Sequence, residues 1–233
     1  ATAMAQILKY FQYPSSSTGK SYYLFDGSEA RHNVTLSTTY DWANMANAYT
    51  WNYSDAQAKA VQELMRDCGY VSHMIYSAQG SGANAYDAGA GLSHNMRYDS
   101  LALSVDRRMF YNDEDWMSAI YAELQNQRPI LYNAVDPNMM GHAFVFDGMD
   151  SEGRIHINWG WSGTANGYFD VRDLNGLAPS YPNPYTGTDI KYNFCDDQIM
   201  VRGFKTQETP DADELYHSYF AMLEPDSIWM DND

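Results

Sequence analysis

Basic residues are scarce in this 233-residue chain: 14 Lys and Arg stand against 30 Asp and Glu, a formal net charge of −16 at pH 7. Phosphate binding runs on Lys and Arg, so the shortage argues against a nucleic-acid partner. Cysteine is scarcer still. Cys68 and Cys195 are too few for a disulfide framework and leave the redox compartment open. No run approaches the roughly 18 apolar residues of a spanning helix, so no membrane partner is expected. Metal-ligating patterns are missing as well. The six histidines include no pair at i, i+4 and no His-Glu helix motif. Asp147–Gly153 is acidic but lacks the alternating ligand spacing of a calcium loop, and no Gly-rich loop carries the Lys-Ser/Thr of a phosphate cradle. Neither a metal nor an organic cofactor is expected.

Aromatic residues are plentiful. With 45% hydrophobic residues the chain can bury one substantial core, or two lobes sharing an interface. Its 20 Tyr and 6 Trp favour aromatic-lined grooves over a purely aliphatic interior. The sequence shows no signal peptide and opens in mid-pattern at Ala1, which points to a targeting or pro-segment removed upstream.

Met4, Ile7, Leu8 and Phe11 lie on one helical stripe that stops before Pro14. No N-cap precedes that stripe. Residues 15–40 read as short strands or loops. Ser54-Asp55-Ala56-Gln57 is a capping box opening a helix with Val61, Leu64, Met65 and Cys68 inward and Gly69 as its C-terminal cap. A strand is expected over Tyr70–Tyr76. The Gly, Ala and Ser of Ser77–Gly91 suit either a cleft wall or a flexible linker. Asn112 caps a helix over Asp113–Asn126 with Trp116, Ile120 and Leu124 inward, and Ile130–Val135 follows as a strand. Tyr168–Val171 and Asp197–Phe204 read as strands, with a Gly/Pro/Tyr/Asn loop at 175–193 between them. Helices first and strands later make the class α+β with an antiparallel sheet. From Thr206 the chain turns acidic and loses periodicity, which marks 206–233 as an extension or linker.

The centre of the pattern is Gly141–Trp161. Ala143–Met149 and Arg154–Asn158 alternate around the turn residues 150–153 and predict a β-hairpin. Antiparallel pairing brings His142, at the start of one strand, beside Asn158 and Trp159 at the end of the other. An amide oxygen accepting from one ring nitrogen would fix the tautomer and leave the other nitrogen free to take a proton, as a general base requires. Such a base needs a nucleophile, and neither cysteine serves. Cys68 sits on a buried stripe at a helix C-terminus, where the dipole disfavours a thiolate, and Cys195 precedes two aspartates. A reactive thiolate prefers a helix N-terminus, and the first helix is the one whose N-terminus the sequence does not show.

The opening Ala1-Thr-Ala-Met-Ala-Gln-Ile-Leu-Lys-Tyr with the later Tyr13-Pro14, together with Gly-His-Ala-Phe-Val-Phe-Asp-Gly at 141–148 and Asn-Trp-Gly-Trp-Ser-Gly at 158–163, resembles the streptopain family of secreted bacterial cysteine peptidases. The resemblance runs from residue 1 to about 205. It implies a papain-like two-lobed α+β fold, helical in the first lobe and antiparallel in the second, made as a zymogen with an inhibitory N-terminal pro-segment. The family opens Cys-Val-Ala-Thr-Ala, which puts the nucleophile two residues before Ala1, outside this sequence. His142 then matches the catalytic histidine, and Asn158 and Trp159 the residues that orient and shield it. Trp161 is the second tryptophan of that turn, next to the substrate with Gly141. Asn133 falls where the family has a glutamine near the oxyanion, and Ser81 and Gly82 match a cleft wall that binds substrate backbone. The expected function is cysteine endopeptidase, acting on proteins or peptides outside the cell. The alternative is a non-catalytic peptide- or glycan-binding module on the same fold.

Overall fold

The computed structural model of the chain describes residues 1–49, 52–138, 141–171, 180–182, 187–205 and 227–228. These fall into two compact units, one built on Ala1–Val105, to which Phe204 and Lys205 return, and one on Asp106–Gly203.

In the first unit, helix α1 (Thr2–Phe11) buries Met4, Ile7 and Leu8 as its stripe predicts, with Ala3 and Ala5 beside them. Phe11, expected on the same stripe, is only half-buried. Strands β1 (Lys20–Phe25) and β2 (His32–Thr35) form an antiparallel hairpin. Helix α2 (Asp55–Val71) opens on a complete capping box, in which Ser54 Oγ accepts from the Gln57 N–H and Gln57 Oε1 from the Ser54 N–H. It runs past Gly69, so the expected glycine cap is corrected to Ser72. The glycine is needed for space: a Cβ there would stand 2.1 Å from the Tyr76 hydroxyl oxygen. The longer helix leaves a two-residue strand, β3 (Ile75–Tyr76), which joins β1 in parallel.

Helix α3 (Ala85–His94) occupies part of the stretch read as cleft wall or linker. Asn84 caps it by accepting from the Tyr86 N–H at 2.7 Å. Its buried face is Ala85, Ala88, Gly89, Gly91 and Leu92. A Cβ on Gly91 would sit 2.2 Å from the Val71 carbonyl oxygen, so close backbone approach substitutes for bulk. Beneath the helices lies the fully buried carboxylate of Asp67, accepting from Ser17 Oγ (2.8 Å), Tyr40 Oη (3.0 Å) and Arg66 (2.7 and 2.9 Å). Every lone pair has a donor, which is what makes a buried charge tolerable.

The second unit begins in β4 (Ser104–Arg107) and continues with α4 (Asp113–Gln125), β5 (Ile130–Val135), β6 (Gly141–Asp150), β7 (Ile155–Asn158) and β8 (Gly167–Phe169). A small hairpin, β9 (Ser180–Pro182) and β10 (Asp189–Lys191), lies within the expected 175–193 loop. It is followed by β11 (Asp196–Arg202) and β12 (Ser227–Ile228). The sheet runs β4-β11-β5-β6-β7-β8, with β12 on the far end of β6 at Met149 and Asp150. The rest of the acidic 206–233 extension lies outside the described residues. Asn112 caps α4, whose Trp116, Ile120 and Leu124 pack on the face made by Ile130, Tyr132, Phe144, Phe146, Ile155 and Ile157. Each such side chain contributes roughly 1.5–3 kcal/mol by leaving water. That packing gives the hairpin a rigid platform.

Candidate active site

Strand pairing carries His142 to the open end of this core. It lies directly across from Ala134 on β5, and the alternation of β6 puts it on the same face as Phe144 and Phe146. Its imidazole lies among Trp161 (ring centroids 4.8 Å apart), Phe194 (5.6 Å), Phe144 (5.7 Å) and Trp159 (6.4 Å). One ring nitrogen has a partner: His142 Nε2 stands 2.8 Å from the Trp159 carbonyl oxygen. A carbonyl oxygen can only accept, so Nε2 carries the hydrogen and Nδ1 keeps the lone pair. Burial lowers the pKa of the imidazole, with the Trp159 bond opposing in part. The result is a neutral ring with one nitrogen held and the other available for a proton.

The acceptor differs from the one the sequence suggests. Asn158 pairs with Val145, and directly paired residues share a face, so the Asn158 side chain falls on the face opposite His142. Its amide oxygen accepts from the Gly160 N–H at 3.0 Å. The expectation that the Asn158 amide holds the ring is therefore corrected to the backbone carbonyl of the next residue. Trp159 itself is fully buried, and its N–H donates to Asn166 Oδ1 at 3.0 Å, which fixes the carbonyl that orients the base.

Trp161 stacks on the imidazole and is partly exposed, as a residue beside a substrate would be. Gly141 is exposed opposite Val135, with open space where a side chain would be. Asn133 pairs with Ala143 and falls on the face away from His142; its buried Nδ2 has no hydrogen-bond partner among the described residues. Ser81 and Gly82 belong to the other unit. There Gly82 exchanges both backbone hydrogen bonds with Ile75, at 2.8 and 3.1 Å. Ser81 Oγ accepts from the Ser77 N–H.

The environments of the two cysteines match their expected inertness. Cys68 is fully buried, and burial pushes its thiol up to about 12. Burial and then the charge of Asp196 raise the Cys195 thiol. Sequence reasoning missed Tyr192 and Phe194. Tyr192 falls in the stretch read as a loop, and Phe194 lies just past it, before the last strand. Their alternating aromatic spacing was the available signal. Among the described residues no group of three or more His, Cys, Asp or Glu could hold a metal ion. No described helix is long and apolar enough to cross a membrane.

Comparison with known proteins places the chain in a family. Residues 1–169 match the model of the peptidase C10 family. Streptopain of Streptococcus pyogenes is 34% identical over 185 residues, 76% of this chain and 46% of streptopain. The thiol protease/hemagglutinin PrtT of Porphyromonas gingivalis is 33% identical over 177 residues, 75% of this chain and 20% of PrtT. The chain thus spans about half of the one relative and a fifth of the other. Among solved structures, active wild-type interpain A of Prevotella intermedia superposes with a TM-score of 0.73 at 38% identity, covering 87% of this chain and 80% of that one. A prointerpain A fragment gives 0.72 at 36% identity, covering 89% and 62%. The four helices and antiparallel sheets are the α+β, papain-like fold of that cysteine protease. By its matched residues, its relatives and its fold, the chain belongs to the peptidase C10 family, the family of streptopain.

Proposed function

We propose that the chain is the catalytic part of a secreted cysteine endopeptidase whose nucleophile is a cysteine just upstream of Ala1. The observation that carries this reading is the orientation of His142: Nε2–H donates to the Trp159 carbonyl, and Nδ1 is left as the base. Helix α1, in the first unit, supports it independently. Ala1 is its N-cap with no side-chain cap, so backbone N–H groups of the first turn are available to favour a thiolate and an oxyanion. His142 takes the proton of the upstream thiol. The thiolate attacks the scissile carbonyl carbon, and the imidazolium returns the proton to the leaving amine. Water then attacks the thioester with His142 again as base, releasing the acid and the thiol. Trp159 shields the ring from water. Protein substrates, secretion and an inhibitory N-terminal pro-segment follow from kinship with streptopain and prointerpain A. Residues 1–205 make up the catalytic part in this reading, and 206–233 an appendage.

The test is alkylation of the protein extended upstream by its natural residues. Iodoacetamide should label the upstream cysteine and abolish peptide hydrolysis, while folded Cys68 stays unlabelled and labelling of Cys195 leaves activity intact. A protein with no cysteine upstream is a binding module, and one whose hydrolysis survives full labelling there is not a peptidase of this mechanism.

A further inference from the structure

One residue past the end of β5, Asp136 is buried at 3% exposure although no cation faces it among its hydrogen-bond partners. Its carboxylate accepts from three nitrogens. Oδ1 takes the Asn138 N–H at 2.7 Å and the Asn138 side-chain amide at 2.8 Å, and Oδ2 takes the Asn193 N–H at 2.9 Å. These donors, first Asn138 and then Asn193, hold its carboxyl below the usual range, so the group is charged and keeps both grips. The first grip is on the turn leading to His142. The second is on a backbone amide flanked by Tyr192 and Phe194, whose rings stack on each other with centroids 5.4 Å apart. Phe194 lies 5.6 Å from the imidazole, and Tyr192 lies 5.4 Å from Trp161, which itself covers the imidazole. One carboxylate thus joins the loop that delivers the base to the aromatic wall beside it.

We infer that Asp136 is a positioning residue that fixes Tyr192 against Trp161, and that this aromatic shelf selects a large apolar or aromatic side chain on the residue following the scissile bond. The inference rests on the reading of His142 as the general base. In that role the imidazole hands its proton to the leaving amine, which must come within about 3 Å of Nδ1. The side chain of the residue bearing that amine begins one bond farther on, within reach of rings whose centroids lie about one ring-width from the imidazole. Tyr192 and Trp161 are both partly exposed, so they offer a face to that side chain. Asn193 also has a buried side-chain oxygen with no partner among the described residues, an acceptor that an incoming peptide N–H would satisfy.

The experiment measures kcat and KM for paired peptides that differ only in the residue after the cleaved bond, Phe or Gly, using the full protein with its upstream cysteine. The expected wild-type preference is for Phe. Tyr192→Ala should cost about tenfold or more in kcat/KM on the Phe peptide and little on the Gly peptide, the size of one lost apolar side-chain contact. Tyr192→Phe should retain the preference, because the ring is kept. Asp136→Ala should reproduce the loss of preference and speed hydrogen exchange at the Asn193 amide, and Asp136→Asn, which keeps one acceptor, should restore part of both. Equal loss on both peptides for Tyr192→Ala, or an unchanged preference, overturns the inference even if Asp136→Ala fails to fold. Wild-type protein that cleaves neither peptide overturns the peptidase reading itself, a distinguishable outcome.

Discussion

The hairpin that carries His142 carries a second histidine, and the two are built for different work. His142 stands at a strand end on the core face, its ring surrounded by four aromatic rings, and Nε2–H donates to a neutral backbone carbonyl. His156 sits within β7 on the other face, and its Nδ1 meets the buried carboxylate of Asp147. Its ring meets that of Tyr168 edge-on. A neutral acceptor holds the His142 imidazole without placing a charge beside it, whereas the Asp147 carboxylate ties the His156 ring to the neighbouring strand. The first arrangement leaves Nδ1 at a strand end beside partly exposed Trp161 and exposed Gly141, where it can take a proton. Cross-linking two strands is served by the second.

Substitution separates the roles most sharply. His142→Ala in the complete enzyme should lower kcat by about 10²- to 10⁴-fold, the range of a lost general base, while thermal stability moves by no more than about 1–2 kcal/mol. His156→Ala should do the reverse, lowering the melting temperature and leaving kcat nearly unchanged. Equal kinetic damage from both would erase the distinction. A smaller effect, about tenfold in kcat with little change in KM, is expected of Asn158→Ala, because the amide supports the Gly160 turn while the Trp159 carbonyl keeps its hold on the ring. A loss as deep as that of His142→Ala would return the orienting role to the amide.

The smallest effect is in the titration. Burial lowers the His142 pKa, so in the folded chain starting at Ala1 its C2–H resonance should titrate below the ordinary histidine value of about 6.5. Between those two values the unfolded chain binds more protons than the folded one. Stability therefore rises with pH through that window and is fully recovered above it. His142→Ala should flatten this segment of the stability profile. A midpoint at or above the ordinary value would mean that the Trp159 bond outweighs burial.

Much of this site was legible in the residues because periodic bulk wrote it. The stripes of α1 and α4, the strand β5 and the hairpin around His142 all follow from apolar spacing. Helix α3 was hidden for the opposite reason: apart from Leu92 its buried face is Ala and Gly, and it packs by backbone approach at Gly91, which leaves almost no hydrophobic pattern to read. Gly69 misled because a glycine near a helix end usually marks the cap, whereas here it clears room for Tyr76. The partner of His142 was unreadable in principle. A main-chain carbonyl has no letter, and the nearby asparagine offered a plausible side chain in its place.

The irregularity in β6 has a consequence for how this hairpin can vary. Met149 pairs with Ile155 and Gly148 with His156, yet Phe146 pairs with Ile157, so Asp147 is one residue more than β7 can match. Were Asp147 paired in register with Ile157 instead of bulging, Phe146 would fall opposite Asn158 and the whole upstream half of β6 would turn over. Phe144 and Phe146 would leave the core, and His142 would point away from Trp161. The reading frame of the strand, set by a single supernumerary aspartate, decides which side of the sheet receives the imidazole. Loss of Asp147 alone would close the bulge and leave Phe146 opposite Ile157, whereas drawing Asp147 into register with Ile157 would give up the histidine's position altogether.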